Sequence, residues 1–374
     1  MGIKIIHTAD HHIGTSFANY PKPVRDRLIE ERFDALDRLI RSANSRNADF
    51  VVIAGDLFDR QRTPRAAVTR TAQILARFEG EHVLVLAGNH DYYEGPDNDL
   101  WKTFREAADG TCILPLLEAD VKEFELDAGK VRFYACPCPS KHGREHVIGW
   151  VAGEDKAPDA LHLGIAHGNV EGLGLDNEQR YFTMSERDLR ESGVHTWLLG
   201  HIHVPAPASG TVGHPLYYMS GTHTPDSVKC AHGGHAWWIE FQPDGARTHE
   251  LLNTGELSFV RLTREIEHPE DLARLESECA MLDPAKTVLD LQVSGRVGEE
   301  DLVRLRAWLD AISDAFLHVS SEVDIAPVLD AGAIAARFPD GTLPNEWLHA
   351  LLENTQHPGD AHMALELIES LRPS

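Results

Sequence analysis

The sequence predicts a mixed α/β fold in which buried strands alternate with helices. Three short aliphatic runs, at 3–8, 49–55 and 82–88, are separated by two longer segments with helical spacing of their apolar residues. This order is typical of βαβ units with buried parallel strands. Two more apolar runs, at 161–167 and 196–200, are predicted as strands for the same reason. The alternation therefore predicts a layered α/β architecture.

Both segments between the first three strands carry helix signals. Apolar residues recur at helical spacing over 23–44. The second helix, within 63–78, has Thr63 as the expected N-cap and Pro64 at the first helical position. Helices between the strands support a βαβ build with buried strands.

Shorter strands are predicted after these units. The runs at 121–126 and 130–137 suggest an antiparallel pair, and 234–246 suggests a hairpin with Asp244 and Gly245 at its turn. Antiparallel strands added to the parallel ones predict a mixed sheet structure.

The pattern divides the chain into three predicted regions. Residues 1–254 carry the loop histidines, residues 255–326 form a small βαβαβ unit, and residues 327–374 form a helical tail. The tail has two amphipathic helix candidates, at 344–354 and 359–371. Their apolar stripes either pack on their own domain or dock a partner protein.

Charge and cysteine content narrow the classes of function. The chain has 59 Asp and Glu against 35 Lys and Arg, which gives a formal net charge of −24. Such a surface repels polyphosphate unless metal ions or local basic patches intervene. Five scattered cysteines favour a reducing, cytoplasmic setting without a disulfide framework. Because apolar runs stay well below the roughly 20 residues of a spanning helix, we expect no membrane partner.

Ligand-type side chains follow each of the five predicted parallel strands. In chain order they are Asp10 and His12, Asp56, Asn89, His167, and His201 and His203. Since ligands bind at the carboxyl ends of strands in open α/β sheets, we expect these loops to share one pocket. Nitrogen and oxygen donors without a thiolate suit manganese, iron or zinc. Seven candidates exceed the needs of one tetrahedral ion and match two ions that share a bridging carboxylate.

Spacing supports the grouping of these side chains. Asp10 and His12 are two residues apart, so in an extended segment both point the same way, and the same holds for His201 and His203. His11 then points elsewhere, to a supporting or surface position. Each motif alone is weak, and turn residues that coincide by chance are the alternative.

Five short blocks carry a family resemblance, and they are DHH at 10–12, GDLFD at 55–59, GNHD at 88–91, HG at 167–168 and GHIH at 200–203. In this order they resemble the signature blocks of calcineurin-like metallophosphoesterases, and the first two resemble more closely the SbcD-type nucleases of DNA double-strand-break processing. The resemblance covers about residues 1–225. It implies a layered α/β/β/α metallophosphoesterase sandwich, and residues 255–326 resemble the smaller α+β capping domain of that group in position and pattern.

The resemblance implies a role for each block residue. One ion would be held by Asp10, His12, Asp56 and His203. The other would be held by Asp56, Asn89, His167 and His201, with Asp56 bridging. His90 would not ligate, and it would stabilise or protonate the leaving oxygen. Asp91 would orient the His90 ring, or else it is a turn or cap residue.

Three further residues are candidates for substrate contact. Arg60 and Arg62 follow the GDLFD block and can meet a nucleic-acid backbone, or they lie in a solvated loop. His223, in SGTHTPD at 220–226, can lie near the phosphate, because in the family's fold this stretch borders the site. The CAHGGH stretch at 230–235 has zinc-ligand residue types but no partner pair, so we predict a loop.

The resemblance implies a DNA exonuclease or endonuclease that uses two divalent ions, with manganese expected. It also implies an SbcC-like coiled-coil ATPase as partner, and a homodimer formed through the helix that carries Leu100, Trp101 and Phe104. Ordinary core packing is the alternative for those three residues. Two other functions stay open, namely a phosphodiesterase of small molecules such as cyclic nucleotides and a metal-binding scaffold without activity.

Overall fold

The computed structural model describes residues 2–173, 180–208, 210, 213–230, 232–353 and 360–371. The chain divides into two compact units, which are Met1–Val260 with Lys286–Val288, and Arg261–Ala285 with Leu289–Ser374. Among the described residues, no helix has both the length and the apolar composition to cross a membrane.

Fourteen strands and nine α-helices are found in the described residues. The strands are β1 (Ile3–Thr8), β2 (Phe50–Ala54), β3 (His82–Leu86), β4 (Ile113–Leu116), β5 (Asp120–Leu126), β6 (Gly129–Cys136), β7 (Ala160–His167), β8 (Thr196–Gly200), β9 (Tyr217–Met219), β10 (His235–Phe241), β11 (Arg247–Asn253), β12 (Ser258–Ile266), β13 (Thr287–Val297) and β14 (His318–Pro327). The helices are α1 (Lys22–Ser45), α2 (Arg65–Leu75), α3 (Asp99–Ala108), α4 (Glu186–Glu191), α5 (Pro269–Ala280), α6 (Glu299–Ala315), α7 (Ala331–Arg337), α8 (Leu343–Leu352) and α9 (Asp360–Ser370).

The first unit contains two sheets. One has the strand order β11-β10-β1-β2-β3-β4, and β1 to β4 are parallel. The other has the order β5-β6-β7-β8-β9, in which β6 to β9 are parallel. The predicted antiparallel pair is formed by β5 and β6, and the predicted hairpin by β10 and β11. The five predicted parallel strands are therefore shared between two sheets.

Alternate side chains along each strand point to opposite faces of the sheet and therefore belong to different layers of the core. Ile6 and Val51 point to one face of the first sheet and pack with α1, α2 and α3, whereas Ile5 and Val52 point to the other face. That second face packs on the other sheet through residues such as Leu163. The sheets therefore stack face to face.

A fourth layer covers the outer face of the second sheet. Tyr134, Trp197 and Leu199 pack there against Leu189 of α4 and Val151 of a short 3₁₀ helix. The order of layers is therefore α/β/β/α, as the family resemblance implies. Cys136 and Cys138 are buried at and just after the end of β6.

Two expectations about the helices need correction. Helix α2 starts at Arg65 with Pro64 as its N-cap residue, and the Thr63 hydroxyl donates instead to the Arg60 carbonyl oxygen (2.8 Å). In α3, Leu100, Trp101 and Phe104 are buried in the core of the first unit. They therefore offer no free surface for dimer contacts.

The second unit contains most of a three-stranded sheet with the order β12-β13-β14, together with α5 and α6. Helices α7, α8 and α9 follow and bury a cluster that includes Ile334, Phe338, Leu348 and Leu365. The predicted tail helices correspond to α8 and α9, although their ends at 354 and 359 and the last residues, 372–374, lie outside the described residues. The predicted domain boundaries at 254 and 326 remain predictions.

Candidate metal centre

The first loop, which follows β1, is tied to the loop after β2. The amide of Asp10 donates to the carbonyl oxygen of Gly55 (3.2 Å), and the amide of His12 donates to that of Asp56 (3.0 Å). Both Asp10 and His12 have left-handed backbones, with φ of 55° and 45°. The extended segment expected from the sequence is therefore not formed. The side chains still reach one cluster, because these hydrogen bonds hold a backbone that non-glycine residues rarely adopt.

The pair His201 and His203 follows β8 and reaches the same place. The amide of His201, which has φ of 99°, donates to both carboxylate oxygens of Asp10 at 3.0 and 3.1 Å. Nε2 of His203 lies 3.2 Å from Nε2 of His12 and 3.9 Å from Oδ1 of Asp10. Asp10, His12 and His203 thus offer ligand atoms that all lie within 4.8 Å of one another. We call these three residues the first donor group.

The remaining candidate ligands gather on the other side of Asp56. Nε2 of His167 lies 3.3 Å from Oδ2 of Asp56 and 3.0 Å from Oδ1 of Asn89, and Nδ1 of His201 lies 3.2 Å from the same Asn89 oxygen. We call Asn89, His167 and His201 the second donor group. Since Oδ2 of Asp56 is also 3.8 Å from Nε2 of His12, Asp56 lies between the groups. The structure therefore brings all seven sequence-predicted ligands together.

The chemistry of these donors fits divalent metal ions. Nδ1 of His167 donates to the carbonyl oxygen of Ala54 (2.8 Å), which leaves the Nε2 lone pair for a ligand. Nε2 of His12 and Nε2 of His203 face each other, and a shared cation would satisfy both lone pairs. The set combines nitrogen and oxygen atoms without a thiolate, as borderline divalent ions prefer.

Burial and the central carboxylate set the charges of the site. Although burial opposes its ionisation, the nearby His167 holds the pKa of Asp56 well below its ordinary value. Burial likewise opposes a charged His167, but Asp56 raises the pKa of His167 to about 9. Burial lowers the pKa of His201 to about 3, which keeps this imidazole neutral. The proton that Asp56 favours on His167 is the one that a metal ion would displace.

Two glycines allow these loops to approach each other. A Cβ atom on Gly88 would lie 2.2 Å from Oδ1 of Asp56, and one on Gly55 would lie 2.2 Å from Nδ1 of His167. Gly55 also has φ of +90°, which side chains disfavour. The close packing of the central carboxylate therefore depends on residues without side chains.

His90 lies at the edge of the cluster and is partly exposed. Its ring meets the ring of His12 edge-on, with centroids 4.8 Å apart. His90, His12 and Asp56 also offer potential ligand atoms that all lie within 4.8 Å of one another. Nδ1 of His90 donates to the carbonyl oxygen of Asp59 (2.9 Å), and its amide donates to Oδ1 of Asp56 (2.8 Å). The ring is therefore held by Asp59, and the contact predicted with Asp91 is replaced by this one.

Asp91 is buried and joins two loops. Its carboxylate oxygens accept hydrogen bonds from the amides of Gly88 (2.7 Å) and Phe58 (2.9 Å). This geometry matches the alternative role that the sequence allowed, a turn residue. Burial, reinforced by the neighbouring Asp56 charge, raises the pKa of Asp91 to about 7.

The three candidate substrate residues differ in position. Arg60 is half-exposed, and its guanidinium lies 3.0 Å from the Asp59 carboxylate, while Arg62 is exposed. His223 is fully buried, and its Nε2 donates to the carbonyl oxygen of Arg32 (2.9 Å). His223 therefore does not face a substrate, which corrects the expectation drawn from its loop.

His11 takes a supporting position and not a surface one. It is fully buried, its Nε2 lies 3.0 Å from the Thr8 hydroxyl, and its ring stacks on His223 with centroids 4.0 Å apart. The two imidazoles thus form a layer behind the first donor group.

Several contacts of the site were not anticipated from the sequence. The hydroxyl of Thr222 donates to the carbonyl oxygen of Asp10 (2.8 Å), and Nε2 of His232 donates to that of His203 (2.5 Å). The ring of Tyr181 lies against that of His201, with centroids 4.9 Å apart. Thr222 and His232 lie in the stretches 220–226 and 230–235, which were already candidates from the sequence. Tyr181 lies in no such motif.

Comparison with known proteins identifies the family. A model described as calcineurin-like phosphoesterase matches residues 3–205, which is more than half of the chain and includes all seven clustered donors. The chain belongs to the calcineurin-like phosphoesterases. These metallophosphoesterases use divalent metals, and this member has residue groups that can bind them.

Similar proteins include two curated relatives. This calcineurin-like phosphoesterase is 24% identical over 279 residues to an uncharacterized metallophosphoesterase, YhaO, of Bacillus subtilis, which covers 73% of this chain and 65% of the relative. It is 26% identical over 216 residues to the DNA double-strand break repair protein Mre11 of Aeropyrum pernix, which covers 54% of this chain and 49% of the relative. The chain thus spans about half to two thirds of the length of these relatives. A solved dimetal phosphatase from Danio rerio is 12% identical and covers 68% of this chain and 98% of its own, with a TM-score of 0.41.

Proposed function

We propose that this calcineurin-like phosphoesterase hydrolyses phosphodiester bonds in DNA with the help of two divalent metal ions. The observation that carries the proposal is the position of His90. Its Nδ1 is fixed on a backbone carbonyl 2.9 Å away, at the edge of a cluster of seven donors that has Asp56 at its centre. A proton donor beside a pair of cation sites is what phosphodiester hydrolysis requires.

The donors divide into two sets that share Asp56. One ion would be held by Asp10, His12, Asp56 and His203. The other would be held by Asp56, Asn89, His167 and His201. When bound, two divalent ions neutralise phosphate charge and activate the attacking water. We propose manganese, since mixed nitrogen and oxygen donors without a thiolate suit it.

His90 acts on the leaving group in this proposal. Because Nδ1–H is used in the hydrogen bond to Asp59, Nε2 is the ring atom that can give a proton to the leaving oxygen. The amide contact with Asp56 holds the backbone of His90 against the central carboxylate. The residue thus keeps its place without being a metal ligand.

The choice of DNA rests on the relative named for double-strand break repair and on the local charge at the site. The chain as a whole carries a formal charge of −24, which opposes a polyanion. Bound cations reverse the sign of the field at the cluster. Arg60 pairs with Asp59 and Arg62 is exposed in the same loop, and we propose that both meet the DNA backbone.

We further propose that the protein acts in the cytoplasm as a homodimer with an SbcC-like coiled-coil ATPase. In this assembly the partner supplies the basic surface that an acidic chain lacks. The tail, with Trp347 of α8 exposed at 44%, is the proposed docking region. Co-purification with such an ATPase, compared between the full chain and a Trp347→Ala variant, tests this part of the proposal.

The substrate class is tested by one assay with two kinds of substrate. The wild type and the His90→Ala variant are incubated with labelled duplex and single-stranded DNA, and with the small diester bis(p-nitrophenyl) phosphate, with and without Mn²⁺. We expect Mn²⁺-dependent cleavage of DNA by the wild type and its loss in the variant. The lengths of the products distinguish exonuclease from endonuclease action, and the end that is shortened first gives the polarity. Equal loss of metal binding and activity in His90→Ala would contradict the assigned role.

A second candidate function is hydrolysis of small phosphodiesters, which the net charge favours over a polyanionic substrate. It predicts cleavage of cyclic nucleotides or the small diester, with DNA left intact. A metal-binding scaffold without activity predicts two bound ions and no cleavage of either substrate. The same assay therefore separates all three readings.

A further inference from the structure

We propose that Asp226 is a positioning residue for the metal ion held by the first donor group. It fixes the ring of His203 from behind, and the buried guanidinium of Arg32 holds it in turn. This inference rests on the two-ion site proposed above. Asp226 lies beyond the residues that the family model matches, 3–205, and it ends the SGTHTPD stretch.

Asp226 lies on the side of His203 that faces away from the other ligands. Its Oδ2 is 3.7 Å from Nδ1 of His203, whose Nε2 faces His12 at 3.2 Å. Its Oδ1 accepts a hydrogen bond from the Ser227 hydroxyl (3.0 Å). A carboxylate behind a metal-binding histidine fixes the tautomer, turns the ring and makes the ligand more basic.

Arg32 of α1 supplies the opposing charge. Only 2% of Arg32 is exposed, and its Nη2 lies 3.9 Å from Oδ2 of Asp226. Its Nη1 donates to the carbonyl oxygen of His11 (2.6 Å), while Nε and Nη2 have no hydrogen-bond partner among the described residues. A buried cation needs a counter-charge, and Asp226 provides it. Arg32 thus links the loop that carries Asp10 and His12 to the carboxylate behind His203.

The neighbouring contacts act on the same donor group. Thr222 holds the carbonyl oxygen of Asp10, and His232 holds that of His203. Within the described part of the chain, the ion-pair and hydrogen-bond contacts found for the Asp226 carboxylate reach His203, Arg32 and Ser227, and none of them reaches the second donor group. Loss of the Asp226 charge should therefore weaken the binding of one ion and leave the binding of the other unchanged.

The test is a Mn²⁺ titration followed by the electron paramagnetic resonance signal of free Mn²⁺. It compares the wild type, Asp226→Asn, Asp226→Glu and the control Asp109→Asn, whose carboxylate is exposed at the end of α3. We expect two ions in the wild type and in the control. In Asp226→Asn one ion should bind as in the wild type and the other roughly tenfold or more weakly. Asp226→Glu, which keeps the charge, should restore much of the weaker site.

Co²⁺ absorption spectra provide a second readout, because they report the ligand field at each ion. The spectrum of one Co²⁺ equivalent should change in Asp226→Asn while the other is preserved. Unchanged affinities in Asp226→Asn, or equal weakening of both ions, would overturn the positioning role. A wild type that binds no divalent ion would instead overturn the metal site on which this inference rests.

Discussion

Nδ1 of His90 lies 2.9 Å from the carbonyl oxygen of Asp59, so a backbone group fixes this ring beside the donor cluster. A main-chain acceptor cannot be titrated, and it moves only with its loop. The loop itself is held by the carboxylate of Asp91, which accepts the Phe58 amide. The position of the proposed acid therefore depends on the path of the backbone after β2.

The His90→Ala variant should lose activity and keep its metal ions. Removal of a positioned proton donor lowers kcat by about 10²–10⁴-fold. Mn²⁺ affinity should stay unchanged, since His90 is not among the proposed ligands. Steady-state kinetics and Mn²⁺ titration measure the two effects, with the exposed His214→Ala as control. Loss of an ion in His90→Ala would show that this residue is a ligand.

The Gly88→Ala variant should disturb the central carboxylate. The added methyl group would lie 2.2 Å from Oδ1 of Asp56, so the loop must shift. Overpacking of this kind costs about 1–3 kcal/mol in the free energy of unfolding, and Mn²⁺ should bind more weakly. Gly153→Ala is the matched control, because a Cβ there meets nothing within 4 Å. Equal stability and metal affinity in the two variants would contradict the close approach.

The stability of the Asp91 variants should follow the number of backbone amides that residue 91 can still accept from. Asp91→Ala leaves the buried amides of Gly88 and Phe58 without an acceptor, at about 1–3 kcal/mol each. Asp91→Asn keeps one acceptor oxygen and should fall between this variant and the wild type. Urea unfolding measures the free energy of unfolding of each variant. A destabilised Asp91→Asn with an unaffected Asp91→Ala would show that Asp91 does not hold the two loops together.

His7 should make the protein less stable in mild acid. Burial lowers its pKa from 6.5 to about 4, while Nε2 lies 3.1 Å from the carbonyl oxygens of Leu199 and Tyr218. The folded state keeps His7 neutral where the unfolded state binds a proton. The contribution of neutral His7 to the free energy of unfolding is therefore fully present above pH 6.5. It is lost as the pH falls towards 4, to a total of about 3 kcal/mol.

The matching variant is His7→Gln, which does not titrate. Urea unfolding at several values between pH 7 and pH 4 should give a shallower loss of stability than in the wild type, by up to about 1.4 kcal/mol per pH unit. Parallel curves for the two proteins would show that the His7 pKa is not lowered.

Some local expectations failed because the sequence does not reveal backbone conformation in loops. Alternation along an extended chain predicted that Asp10 and His12 share a direction, and they do converge. They do so with positive φ, held by the loop after β2. For His223 the expected position of the side chain was wrong. Its loop borders the site, but its ring is buried behind the site against His11.

Local sequence patterns predict the five parallel strands that carry the site, the order of their loops and the seven donors that follow them. These features are encoded locally, because apolar runs and strand-end residues are read from neighbouring positions. Long-range packing divides these strands between two stacked sheets, sets Asp59 against His90, and places Arg32 and Asp226 behind His203. Contacts of this kind join residues that are far apart in the chain and depend on packing, so no local pattern records them.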